Sequence, residues 1–271
     1  MEEHHVLGVT KLVNWLLGKP GAALLALLHI EPENPHYPIP NHVAMELVVF
    51  VLAVVFFLWL KRRLSVERPG AVQQCMEMLL SNPMGVGVRD LLEDIVGHGA
   101  ERYLAMLGSI GMFVLFCNLI SLIPGFESPT ATSSVPLGCA VLVFLYYNWS
   151  GIRHHGPLGY GKHFLGPSIF LAPLMLPIEI VSHLARLLSL TVRLWVNMLV
   201  SELLYVLFLG LTLTVFVAGG KTHPILYALA VVPLVGPTVF ILLHIFVGIL
   251  QAFVFTLLPV IYVSGAVAEE H

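Results

Sequence analysis

Long apolar runs separated by short polar breaks dominate the chain, with little of the strict alternation that marks strands. A helical membrane span needs about 20 mostly apolar residues, whereas a membrane barrel would show alternating segments of about ten. Runs at 43–60, 103–123, 135–149, 178–216 and 224–263 fit the first pattern. The predicted fold class is therefore an all-α integral membrane protein with about five membrane-crossing helices plus a surface amphipathic helix.

The breaks give an order. Residues 1–42 form a membrane-flanking arm on the outer side: the apolar patch at 21–28 is too short to span, and EPENPHYPIPNH excludes a regular helix. The first span, 43–60, stops at Lys61, Arg62 and Arg63, a cluster the positive-inside rule places in the cytoplasm. Residues 61–102 turn amphipathic and are expected on the cytoplasmic surface. A transmembrane hairpin follows at 103–150, its connection PGFESPTATSS facing outward. The 151–168 loop carries Arg153, His154, His155, Lys162 and His163 and suits the cytoplasm. His154 and His155 have no acidic or thiol companion there, so the reading is a titrating loop and not a metal site.

Residues 169–271 hold two runs too long to stand upright, with GGKTH at 219–223 as the turn between them. The 178–216 run would give about 58 Å of helix, roughly twice a 30 Å hydrocarbon core. It must break or lie steeply tilted. The last run is interrupted by Pro233, Pro237 and Pro259, and it returns the C-terminus to the cytoplasm.

Composition agrees and narrows the partners. The 271 residues are 58% hydrophobic and 11% charged, with mean hydropathy +0.89. A net charge of −3 without a basic patch excludes nucleic acid as a partner. Cys75, Cys117 and Cys139 lack CxxC spacing and read as small packing residues. An N-terminus beginning MEEHH lacks a basic leader region, so insertion is expected to use the spans themselves.

Candidate chemistry centres on Arg193, whose guanidinium burial cannot neutralise. Set at zero on a helix of 100° per residue, Arg193 shares a sector of about 120° with Glu179, Ser182, His183, Arg186, Ser189, Asn197 and Ser201. Glu202 falls at about 180° and is not its ion-pair partner. Glu202 lies about 13 Å along the axis towards the outer end, Glu179 about 21 Å the other way. On the final run His244, Gln251 and Tyr262 align within about 20°. A buried histidine near neutrality relays protons and a carboxylate hands them on; the natural partner for His244 is Glu202, across two antiparallel helices.

Arg193 keeps its proton, so it acts as a fixed charge that blocks leakage between two access routes. A carboxylate brought beside it is favoured as the anion and releases a proton; withdrawn into lipid it binds one. The chain has no unassigned deep acid to be that carrier, and a second protein must supply it. A secondary transporter with a midplane polar site is the alternative, although transporters usually show paired repeats with broken helices and none is evident.

The segments LSLTVRLWVNMLVSELL, LIPGFESPTATSS and HIFVGILQAFVFTLLPVIYV resemble the a subunit of the rotary F-type ATP synthase, its membrane stator. The likeness covers residues 104 to the C-terminus and, loosely, the first span. It implies that Arg193 is the stator arginine facing the carboxylates of the c ring, with Asn197 beside it. Glu202, His244 and Gln251 would belong to the outer half-channel, and Glu179 with Ser182 to the inner. It also implies ATP chemistry on partner subunits, no cofactor, c-ring and peripheral-stalk b subunits as partners, and an energy-coupling membrane such as the bacterial inner membrane. A sodium-translocating version has the same architecture. The chain departs from the family in having Val196 in place of Gly, Ser201 in place of a small residue, and Leu187 where many members have Pro.

Overall fold

The computed structural model describes the chain apart from residues 1–6, 28, 30–33, 35, 82–86, 98, 124–125, 164–171, 220–230 and 268–271. Among the described residues the regular elements are helical: α1 (Gly8–Leu27), α2 (Asn41–Arg63), α3 (Ala71–Leu80), α4 (Val88–Val96), α5 (Glu101–Leu119), α6 (Ser134–His163), α7 (Ala172–Gly219) and α8 (Val231–Val267), with 3-10 turns at Ile120–Leu122 and Pro129–Ala131. Five helical stretches are long and apolar enough to cross a membrane, at Asn41–Arg63, Glu101–Leu122, Ser134–Gly161, Ala172–Thr214 and Thr238–Val267. Their exposed Leu, Val, Ile and Phe side chains are the surface such helices would turn to lipid.

The chain divides into two units. The first takes residues 1–54, 115–132 and 195–250. In it α1 lies in the stretch expected as a membrane-flanking arm, ahead of the proline-rich segment that excludes a regular helix. Asn14 pins the chain before α2 onto α1: its amide donates to the Ile39 carbonyl and its oxygen accepts from the Ile39 N–H, each at 2.9 Å. Val13, Ile39 and Ala44 make a small buried cluster there. The sequence expectation for residues 30–33 and 35 lies outside the described residues.

The second unit takes residues 55–114, 133–194 and 251–271. The amphipathic segment forms two short helices, α3 and α4, in place of one. Gln73 is buried and bridges Ser65 and Glu77. Arg89 pairs with Glu93 and Glu101, each at 2.8 Å, and the Glu93 hydrogen bond and the two carboxylate charges push its pKa up. Gly111 passes so close to Thr256 that a Cβ at 111 would collide with the threonine hydroxyl.

Two expectations change here, and one open alternative, for α7, is decided. Helix α6 runs on to His163 where a loop was expected from 151, and its break is at Gly156, which has φ 75° and precedes Pro157. Glycine tolerates that left-handed φ, and the chain then turns back so that the Tyr160 ring packs on Gly151 and its hydroxyl donates to Asn148 at 3.0 Å. Helix α7 does not break: its 48 residues include Pro177 and span roughly 70 Å. Helix α8 continues through Pro259. The side chains of Lys162 and His163, and the turn at 220–223, lie outside the described residues.

Candidate functional site

In the first unit, polar groups converge on His244 of α8. Its side chain is buried. Nδ1 lies 3.0 Å from Ser201 Oγ on α7, while Nε2 lies 2.9 Å from Ser121 Oγ and 3.1 Å from the Asn118 carbonyl. The last carbonyls of a helix lack partners within it, and α5 ends at Leu119, which leaves that of Asn118 available. A carbonyl only accepts, so Nε2 carries the proton in the neutral ring and Nδ1 accepts from Ser201. Ser201 also lies 3.0 Å from the Met198 carbonyl. Its hydroxyl turns to that carbonyl when Nδ1 itself becomes a donor.

The connection between α5 and α6 closes over the same group. Asn118 is fully buried; its amide donates to the Gly248 carbonyl at 3.2 Å and its oxygen accepts from Thr130 at 2.7 Å. Ser128 bonds Thr130 at 2.7 Å and the Cys117 carbonyl at 2.9 Å. Trp195 donates to the Ala131 carbonyl at 2.9 Å. Glu202 is half-buried and accepts from the Ser128 backbone N–H, with Glu127 as its charged neighbour.

The expected pairing of Glu202 with His244 is thereby corrected. Ser201 is the residue of α7 that reaches the ring, because consecutive helical positions diverge by about 100° and only one of the two faces α8. Asn118, Ser121, Ser128 and Thr130 were not singled out from sequence; an asparagine in the apolar run 103–123 was the available signal.

The second unit holds another group. Glu179 Oε1 lies 3.3 Å from His183 Nε2, one turn along α7. His183 Nδ1 is 2.7 Å from the hydroxyl of Tyr147 on α6. Arg186 sits over the ring of Tyr262 at 5.4 Å, and Tyr262 packs against Tyr147 at 5.8 Å. Gln251 is buried. Tyr147 went unnoticed in the sequence because tyrosine is unremarkable in a membrane helix.

Along α7 the predicted polar sector divides. His183 and Ser201, at its edge, are buried with Leu190, Leu194 and Met198. Glu179, Ser182 and Arg186 are half-buried, whereas Ser189, Arg193 and Asn197 are exposed beside Val192, Val196 and Val200. Among the described residues Arg193 makes no hydrogen bond or ion pair; its electrostatic neighbour is Tyr262. The guanidinium thus stands exposed with Ser189 and Asn197, with valines alongside, and has no ion pair among the described residues.

A family model described as ATP synthase A chain matches residues 43–264. The chain belongs to this family. It is 40% identical over 267 residues to the ATP synthase subunit a of Koribacter versatilis, covering 98% of this chain and 99% of that one. It is 43% identical over 255 residues to that of Solibacter usitatus, covering 94% and 98%. The ATP synthase subunit a 1 of Syntrophotalea carbinolica is 40% identical over 236 residues, covering 87% and 89%. The family match covers all or nearly all of each of the five membrane-length helices and includes both polar groups.

Proposed function

We propose that the chain is the proton-conducting, non-catalytic stator subunit of a rotary ATP synthase in a bacterial inner membrane, with its N-terminus outside and its C-terminus in the cytoplasm. Its partners are the c-ring subunits, the peripheral-stalk b subunits and the rest of the complex, and ATP chemistry resides on those partners. The observation that carries this reading is Arg193, exposed on α7 within a long apolar span and without an ion pair among the described residues. A central membrane arginine costs roughly 2.5 to 3.5 kcal/mol on insertion scales, so its counter-charge comes from outside the chain, as one ring carboxylate after another.

In this reading Glu202, His244 and Gln251 serve the outer half-channel and Glu179 with Ser182 the inner one. Asn197 stands beside Arg193, Ser189 takes part in translocation, and His183, Arg186, Ser201 and Tyr262 are auxiliaries. The polar chemistry of each group suits proton hopping: imidazole, hydroxyls and carboxylates donate and accept by turns. The membrane supplies about 2.3 kcal/mol per charge per 100 mV. Arg193, always protonated, keeps protons from passing without the ring.

Ion flux through the assembled complex, measured with and without sodium at fixed pH, tests the reading. Flux that follows pH and ignores sodium is expected. Flux that requires sodium assigns the ion differently, and a chain that purifies without a c ring while moving a solute is a transporter.

A further inference from the structure

Glu179, His183 and Tyr147 stand in a hydrogen-bonded row, with a carboxylate on one nitrogen of the ring and a phenol on the other, at 3.3 Å and 2.7 Å. The phenol ring also stacks on the imidazole, with centroids 5.6 Å apart and planes 24° from parallel. Phe144 meets the imidazole edge-on at 6.4 Å. His183 and Tyr147 are buried, whereas the Glu179 side chain is 33% exposed. The row therefore leads from the packed interior of α6 and α7 to a partly exposed carboxylate.

We propose that His183 exchanges the transported proton with Glu179 and that Tyr147 is the positioning residue that makes this possible. The inference rests on the reading of Glu179 as part of the inner path. When Tyr147 accepts from Nδ1–H, the lone pair of Nε2 faces Glu179. A protonated Glu179 then gives its proton to Nε2: the O–H bond breaks, an N–H bond forms, and the electron pair stays on the carboxylate. The product is an imidazolium–carboxylate pair, and the reverse step returns the proton to Glu179 and so to water. Both nitrogens keep a partner in both states, so the step leaves no buried polar group unsatisfied.

The other titratable and charged groups around the ring are Arg186 on α7, Tyr160 on α6 and Tyr262 on α8. Arg186 is one turn from His183, and its fixed charge disfavours a lone second cation. Exchange with Glu179 leaves the net charge of the group unchanged and is the step this setting permits.

The test uses the assembled complex in inverted vesicles, with passive proton flux followed from about pH 5 to 8, the range over which imidazole changes charge. Glu179→Gln is expected to slow flux roughly tenfold. Tyr147→Phe and His183→Gln are each expected to slow it about threefold or more. Each is also expected to displace the neutral limb of the pH profile by about half a unit or more, which loss of packing alone does not do. If Tyr147→Phe does not assemble, His183→Gln decides. Slow flux in Glu179→Gln beside an unchanged rate and profile in the other two overturns this inference alone. Unchanged flux in Glu179→Gln overturns the inner path on which it rests.

Discussion

The hydroxyl of Ser201 lies 3.0 Å from Nδ1 of His244, and the Asn118 carbonyl holds the opposite nitrogen at 3.1 Å. The ring is thus clamped between α7 and the end of α5 with a defined tautomer. Ser201→Ala leaves Nδ1 buried without this donor, an imbalance of about 1 to 3 kcal/mol. Proton flux through the assembled complex is expected to fall several-fold, with Ser201→Thr retaining most of it. Full flux in the alanine variant would show that the bond is only structural.

Glu202 is bonded by the Ser128 N–H and sits half-buried beside Glu127. Glu202→Gln keeps the shape and removes the exchangeable proton. Passive proton conductance is expected to drop by roughly tenfold or more while the complex still assembles. An unchanged conductance would count against Glu202 as an outer-path residue.

Asn118 satisfies both the Gly248 carbonyl and the Thr130 hydroxyl inside the first unit. Asn118→Ala is expected to lower stability by about 1 to 3 kcal/mol for each group left unpaired, read as a lower thermal midpoint of the purified complex. Asn118→Asp keeps the acceptor for Thr130 but sets a buried carboxylate against the Gly248 carbonyl, so its midpoint should fall at least as far as that of the alanine variant.

Gly111 and Thr256 touch where α5 and α8 cross in the second unit. Gly111→Ala drives a methyl group into the threonine hydroxyl, and overpacking of this kind costs about 1 to 3 kcal/mol. Thermal stability should fall in Gly111→Ala and recover in the double variant with Thr256→Ala. Failure of the second substitution to rescue would place the strain elsewhere.

Much of this was legible in the sequence because the membrane is a demanding solvent. Span lengths follow from hydrocarbon thickness, and the apolar runs at 43–60 and 103–123 became α2 and α5 with small changes at their ends. Arg193 was conspicuous because a guanidinium cannot shed its charge. The kink at Gly156 was harder to place, because a glycine and proline in a polar stretch read equally as a loop. The polar contacts were least legible. Tyr147 lies 36 positions before His183 and Ser121 lies 123 before His244, and no periodicity within one helix reveals partners on another. The Glu202 and His244 pairing failed for the same reason: helical phase gave the face of each, but only packing decided that Ser201 meets the ring.

Arg193 carries the central claim, since everything proposed about the two proton paths depends on a fixed charge between them. ATP-driven acidification of inverted vesicles, compared between the native complex and Arg193→Ala in preparations with equal subunit content, tests it most directly. Loss of pumping in the variant is the predicted result, and coupled pumping that survives the substitution would contradict the account.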